Sequence, residues 1–282
     1  MYRALLVCLC ALPMSSALVL PALSQEIQSV GPIKTYTKWL PEEKLFKPSS
    51  KKKLPVNHRV DIPFIIDGTV VIQRLTDRTY WIMLGSHSLT LFVGNEGALL
   101  IDAPLRPAAE IMGAVKQVTD VPIRALVYSH PHVDHNGGAD RLRAALKEQG
   151  IDLRIIGSEN CKEQIQLFGS LPEPTQTVPN GRAVFQFEKW TFKHITPVRW
   201  AHTGADSYTI TPDGVVTFID FVYPGALPFQ NVSVVQNLTG YLEFIRHVAG
   251  EPDWTHANLG HSNVGYRKDI LRTLEYFKDL YT

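Results

Sequence analysis

Within Tyr128-Ser129-His130-Pro131-His132-Val133-Asp134-His135-Asn136-Gly137-Gly138, four potential metal ligands fall inside six residues. Imidazole nitrogens and a carboxylate oxygen are the donors that Zn²⁺ takes in sites that carry out hydrolysis. The stretch follows an apolar run, Ile123 to Val127, that reads as a buried strand. Gly137-Gly138 reads as a tight turn into a helix. A strand end, a ligand-bearing loop and a helix start make a rigid mount with a mouth toward solvent. The competing reading is a His-rich polar surface loop, and the placement between strand and helix weighs against it.

One loop cannot close a metal pair, because ligands two positions apart diverge. The other histidines are therefore candidates: His58, His87, His194, His202, His247, His256 and His261. Three later positions stand out by context. His202 sits in Ala201-His202-Thr203-Gly204-Ala205-Asp206 between two expected strands, with small residues that let the backbone approach a ligand. Asp220 follows the apolar run Val215 to Ile219, where a buried carboxylate is costly unless it meets a cation. His261 lies in Gly260-His261-Ser262-Asn263, before the last expected helix. His194 is the rival of His202 but reads as a strand histidine. His256 is the rival of His261 but lacks the preceding glycine. Asp102, ending the run Ala98 to Ile101, reads either as a carboxylate steadying a ligand histidine or as a simple turn aspartate.

The elements that must position these groups are legible from periodicity and turn residues. Thr69 to Leu75, Thr79 to Leu84, Ser88 to Val93 and Ala98 to Ile101 are short β-branched or apolar runs separated by turns, a meander of antiparallel strands. Arg106 to Val118 has helical spacing, and helices are expected over Ala139 to Gln149 and Ser158 to Phe168, around a strand at Leu153 to Ile156. Leu171 to Asn180 holds three prolines and reads as a loop. Strands resume at Ala183 to Phe187, Thr191 to Ile195, Ser207 to Thr211 and Val215 to Ile219, the last pair joined by Pro212-Asp213-Gly214. Leu238 to Ala249 and Tyr266 to Tyr281 read as amphipathic helices. Two mixed sheets with helices outside them suggest a four-layer α/β arrangement.

The series His130-x-His132-x-Asp134-His135, His202-Thr203, Asp220, Gly260-His261 resembles the metallo-β-lactamase fold superfamily in order and spacing, over about Val60 to Thr282. The resemblance implies a four-layer αββα sandwich of two mixed β-sheets flanked by helices, with the metals at one edge. It also implies that His130, His132 and His202 bind a first divalent ion, that Asp134, His135 and His261 bind a second, and that Asp220 bridges them. Zinc is the foremost expectation, with iron or manganese as alternatives. Two such ions can share a hydroxide for attack on a carbonyl, with Asp134 as the catalytic group that helps shuttle the proton.

The N-terminus points to export. Arg3, the apolar run Ala4 to Ala11, the further run Ala17 to Leu20 and Ala22-Leu23-Ser24 form a signal-peptide pattern over residues 1–24, with cleavage before Gln25 into a periplasmic or secreted form. Pro13, Ser15, Ser16 and Pro21 interrupt the run and argue against a membrane anchor. Removal of Cys8 and Cys10 leaves Cys161 alone, so the mature chain has no internal disulfide; Cys161 reads as a half-buried packing residue. Residues 25–59, rich in Lys, Pro and Ser, read as an extension, and 60–282 as the metallo-β-lactamase-like domain. A formal net charge of +1 over 282 residues offers no reason to propose nucleic acid or an anionic membrane as partner. The expected partner is a small-molecule substrate.

Fold alone does not select that substrate. Asp220 stands where drug-hydrolysing relatives with a cysteine in the second site would need Cys, and instead resembles the arrangement of hydroxyacyl-glutathione hydrolases and lactonases. Barely twenty residues follow His261, too few for the additional helical region of the glutathione-thioester enzymes. The nuclease branch would need an inserted domain. The expectation is a hydrolase of esters, lactones, thioesters or amides, with β-lactam cleavage, a mononuclear iron sulfur oxygenase and a non-catalytic metal-binding protein as alternatives. Phe221 to Phe229 reads as an apolar pocket wall or as a surface loop packed on the next helix. Asn231-Val232-Ser233 and Asn237-Leu238-Thr239 fit the glycosylation pattern.

Overall fold

The computed structural model describes residues 34–35 (backbone only), 69–226, 232, 234–261 and 263–280. The expected signal peptide, nearly all of the extension, the 227–229 end of the proposed pocket wall and the Asn231 glycosylation pattern lie outside the described residues.

Two mixed sheets carry the architecture. The first has eight strands in sequence order: β1 (Lys34–Thr35), β2 (Thr69–Arg74), β3 (Thr79–Leu84), β4 (His87–Val93), β5 (Ala98–Ile101), β6 (Ile123–Val127), β7 (Arg154–Ser158) and β8 (Gln176–Val178). β2 to β5 are antiparallel, the expected meander. From β5 onward the pairing is parallel, because helical crossovers intervene: α1 (Ala108–Lys116), the single turn α2 (Val133–Asn136), α3 (Ala139–Glu148) and α4 (Glu159–Phe168). The second sheet runs β13-β12-β11-β10-β9, built from β9 (Arg182–Phe187), β10 (Trp190–Ile195), β11 (Tyr208–Ile210), β12 (Val215–Thr217) and β13 (His256–Asn258). The helices α5 (Leu238–Gly250) and α6 (Arg267–Leu280) belong to its outer face.

Period-two alternation sorts side chains into three apolar layers. Leu100 and Leu126 point outward and pack with Ile111, Val115, Leu142 and Ile165 of the first helical layer. Their strand neighbours Leu99, Ile101, Ala125 and Val127 point inward and meet Phe185, Phe187 and Phe192 of the second sheet. Beyond that sheet, Tyr208, Ile210, Val216 and Phe218 pack on Tyr241, Phe244, Ile245 and Phe277. Helix, sheet, sheet, helix is the order of layers, as expected. Among the described residues no helix is long and apolar enough to cross a membrane.

Several details differ from the sequence reading. Gln176–Val178, inside the expected proline-rich loop, pairs in parallel with β7. His256–Asn258 forms a strand beside β12 that had no expected counterpart. Lys34–Thr35, in the extension, pairs in parallel with β2. The helix after the histidine motif starts at Ala139 as expected, but a separate single turn, α2, precedes it inside the motif, and Gly137 and Gly138 have ordinary right-handed φ values of −68° and −78°. These glycines serve closeness rather than a left-handed turn. A Cβ on Gly137 would stand 2.4 Å from the Val133 carbonyl oxygen, and one on Gly138 would stand 2.3 Å from that of Pro104. Cys161, on the buried face of α4, is fully rather than half buried, and burial pushes its thiol up, which suits packing and not nucleophilic chemistry.

Candidate metal centre

All seven expected ligand residues converge at one end of the sandwich, where strands of both sheets stop. They fall into two clusters whose donor atoms lie within 4.8 Å of one another: His130, His132, His202 and Asp220 in the first, and His87, Asp134, His135 and His261 in the second. His87 is the one member that sequence reasoning did not select. It begins β4, where a period-two pattern marks it only as a strand end.

Asp220 stands between the clusters. Its Oδ2 is 3.5 Å from His130 Nε2, 3.3 Å from His202 Nε2 and 3.1 Å from His135 Nε2, while its Oδ1 is 3.1 Å from His261 Nε2. Burial alone would raise its pKa, yet the imidazoles of His135, His202 and His261 hold its carboxyl well below the usual carboxylate range. The residue is held from behind. Its backbone N–H donates to Leu259 O, and the Tyr241 hydroxyl lies 3.1 Å from its carbonyl oxygen and 2.8 Å from that of Phe221.

The His130 loop is braced by Asp102, in the role of a steadying carboxylate. The buried carboxylate accepts Ser129 N–H at 2.8 Å, Ser129 Oγ at 2.7 Å and Asn136 Nδ2 at 2.9 Å. With its proton committed to Asp102, Ser129 Oγ accepts from His130 Nδ1 at 2.9 Å. His130 Nε2 is thereby left as a lone-pair nitrogen facing the cluster, buried and without a hydrogen-bond donor. Burial pushes its pKa well below the ordinary histidine value, keeping it neutral. Such an orphaned acceptor beside a carboxylate is costly unless a cation meets it.

His202 is held by a loop whose builder is Asp206. This carboxylate accepts Thr203 N–H and Thr203 Oγ1, each at 2.8 Å, and Thr203 Oγ1 in turn accepts Ala205 N–H at 3.0 Å. His202 Nε2 then stands 3.2 Å from His132 Nδ1. In the second cluster His135 Nε2 stands 3.2 Å from His261 Nε2. Two imidazole nitrogens bound to one tetrahedral zinc at about 2.0–2.1 Å each stand about 3.3 Å apart, so both spacings fit a shared cation. His261 Nδ1 must donate to the Ser86 carbonyl at 2.9 Å, which leaves the lone pair on Nε2, the nitrogen that faces His135 and Asp220. Asp134, half exposed at the mouth, lies 3.3 Å from His87 Nε2. Burial would raise its pKa, but the hydrogen bond from His87 and the charge of His135 hold it well below the usual range, so it stays ionised.

The rival histidines serve packing. His194 is buried in β10, with Nδ1 2.9 Å from Thr209 Oγ1 and its ring edge-on to Phe185. His256 meets Thr255 and the ring of Tyr266. The expected pocket wall divides. Phe221 turns into the core and stacks on Phe218 and Tyr241. Tyr223 lies over His261 with ring centres 5.9 Å apart, and with Pro224, Gly225 and Ala226 it lines a cleft of about 310 Å³ that reaches Asp269 and Arg272.

The metallo-β-lactamase superfamily model matches residues 82–198, which include His130, His132, Asp134 and His135. A metallo-β-lactamase from Pontibacter korlensis shares the fold with a TM-score of 0.63 at 17% identity, over 74% of this chain and 99% of that one. A linear primary-alkylsulfatase from a Pseudomonas species is 26% identical over 88 residues, 30% of this chain but 17% of the relative's length. The chain thus has the fold of a metallo-β-lactamase, a stretch from residue 82 to residue 198 that matches the metallo-β-lactamase superfamily model, and two clusters of side chains that could each hold a metal ion.

Proposed function

We propose that this protein is a binuclear metal-dependent hydrolase that cleaves esters, lactones, thioesters or amides of small molecules. The observation that carries the reading is the position of Asp220, a single buried carboxylate in contact with imidazoles of both clusters. His130, His132 and His202 would hold one cation, Asp134, His135 and His261 the other, and Asp220 would touch both. The donor set of imidazole and carboxylate suits zinc, and also iron or manganese. When bound, such a pair lowers the pKa of water toward neutrality and stabilises negative charge on the reacting oxygen.

The chain's own residues do the rest. Asp102, through Ser129, fixes which nitrogen His130 presents. Asp206 fixes the loop that aims His202. Asp134, ionised and open to solvent on one side, would accept a hydrogen bond from a water at the mouth and so help to direct its proton. Tyr223 and the cleft beside it offer an apolar wall for the part of the substrate that does not react. The expected signal peptide supports action outside the cytoplasm.

A second reading, hydrolysis of sulfate esters, is favoured by the local similarity to the alkylsulfatase. A panel of lactones, thioesters, carboxylate esters, β-lactams and alkyl sulfates, assayed with and without chelator, separates the two. For the hydrolase reading as a whole, His132→Ala should lower turnover of the best substrate by at least about 100-fold and reduce bound metal, with the fold retained by circular dichroism. Undiminished hydrolysis in that variant would refute it.

A further inference from the structure

We propose that His87 is a ligand of the second cation, so that this site is closed by three imidazoles and a carboxylate: His87, His135, His261 and Asp134. The inference rests on the binuclear reading above and adds a residue that the expected ligand pattern does not contain. His87 Nε2 is 3.3 Å from Asp134 Oδ2. Its ring centre is 4.6 Å from that of His261 and 5.0 Å from that of His135. One donor atom from each of the four residues lies within 4.8 Å of all the others. His87 Nδ1 is occupied on the other side by Ser86 Oγ at 3.0 Å, so Nε2 is the nitrogen that faces the cluster.

The position is built. Gly85 turns the chain between β3 and β4 with φ +70°, and the Arg106 guanidinium lies flush on it, 1.8 Å from where a Cβ would stand, while donating to Leu84 O at 3.2 Å. On either side of His87 the turn is fastened to the loop that carries His261. Ser86 O accepts His261 Nδ1–H at 2.9 Å, Ser88 N–H donates to Gly260 O at 2.8 Å, and Ser88 Oγ donates to Asn258 Oδ1 at 2.6 Å. Residues 86 and 88 are thus held against 258–261, and the side chain between them is aimed at the same point as His261. A surface histidine without a task needs no such double fastening.

A histidine that only held Asp134 by a hydrogen bond would be replaceable by glutamine, which can donate from its amide but ligates weakly. The test is titration of Co²⁺ into metal-free full-length protein, followed by calorimetry and visible absorption, for wild type, His87→Ala, His87→Gln and His261→Ala. The wild type should take up two equivalents. Both His87 variants should bind one equivalent as wild type does and the other more than about 100-fold more weakly, beyond the roughly 10–100-fold cost of losing a group that merely orients a ligand. They should lose the same Co²⁺ absorption bands as His261→Ala. Two equivalents bound within tenfold of wild type by either His87 variant would overturn the assignment. If instead the wild type takes up no Co²⁺, the binuclear reading fails with it. Melting curves of the metal-free variants identify any that does not fold, and one folded variant suffices to decide.

Discussion

Asp102 and Asp220 have left-handed backbones, with φ of +67° and +71°, a conformation that aspartate tolerates better than most residues but still at a cost. Both sit just past a strand and both touch the clusters, one through Ser129 and one directly. Such backbone conformations persist where the surroundings over-determine them. If Asp102 works by orienting His130, Asp102→Asn should weaken metal binding by roughly 10–100-fold while the fold survives. Competition with a chromophoric chelator measures this, and an unchanged affinity would leave Asp102 a turn residue. At this scale the sequence was informative where ligands are local or stand against their context. The His130 to His135 run is local, and Asp220 ends an apolar stretch where a carboxylate is conspicuous. His87 was not legible, because its partner Asp134 is 47 positions away and nothing around His87 marks it. Asp206 is visible in the sequence as part of the His202 loop, but its part in building that loop depends on where Thr203 folds back.

The mount for the ligand loop shows how an element can be foreseen and its reason misread. Gly137-Gly138 does lead from the motif into α3, yet at φ −78° Gly138 needs no left-handed freedom. Its need is space beside the Pro104 and Ala103 carbonyls. The two explanations separate in one substitution. If backbone freedom were the issue at this ordinary φ, Gly138→Ala would be neutral or stabilising by up to about 1 kcal/mol. With a backbone oxygen 2.3 Å from the new methyl, it should destabilise by about 1–3 kcal/mol in urea unfolding, and the displaced loop should also bind metal less tightly. Long, periodic segments were read to within a few residues, because burial on one face leaves a repeat. The three-residue strands Gln176–Val178 and His256–Asn258 were missed for the same reason. They are too short to show a period and exist because a neighbouring strand offers its edge.

For the molecule as a whole, the division between site and scaffold has a consequence in pH. His194 is scaffold: fully buried, with burial pushing its pKa down to about 4. Its unfolded-state value is near 6.5, so the unfolded chain takes up this proton first as pH falls. The folded state should therefore lose stability from pH 6.5 down to about 4, by an amount of order 3 kcal/mol, and keep it above pH 6.5. His194→Leu should lack this component in a comparison of unfolding free energy against pH, and an identical slope in the two proteins would show that His194 is not the group responsible. The layered fold was legible because alternating strands and amphipathic helices must bury their apolar faces against one another. The meeting of the second sheet's loops with the first was foreseen through the family resemblance, since no local pattern brings residue 202 to residue 132. The central claim is that two clusters sharing Asp220 hold two cations. Elemental analysis of purified protein, reconstituted with divalent metal and dialysed, tests it most directly. The account predicts two tightly held ions per chain, removable by chelator with loss of hydrolysis; one ion or none per folded chain would contradict it.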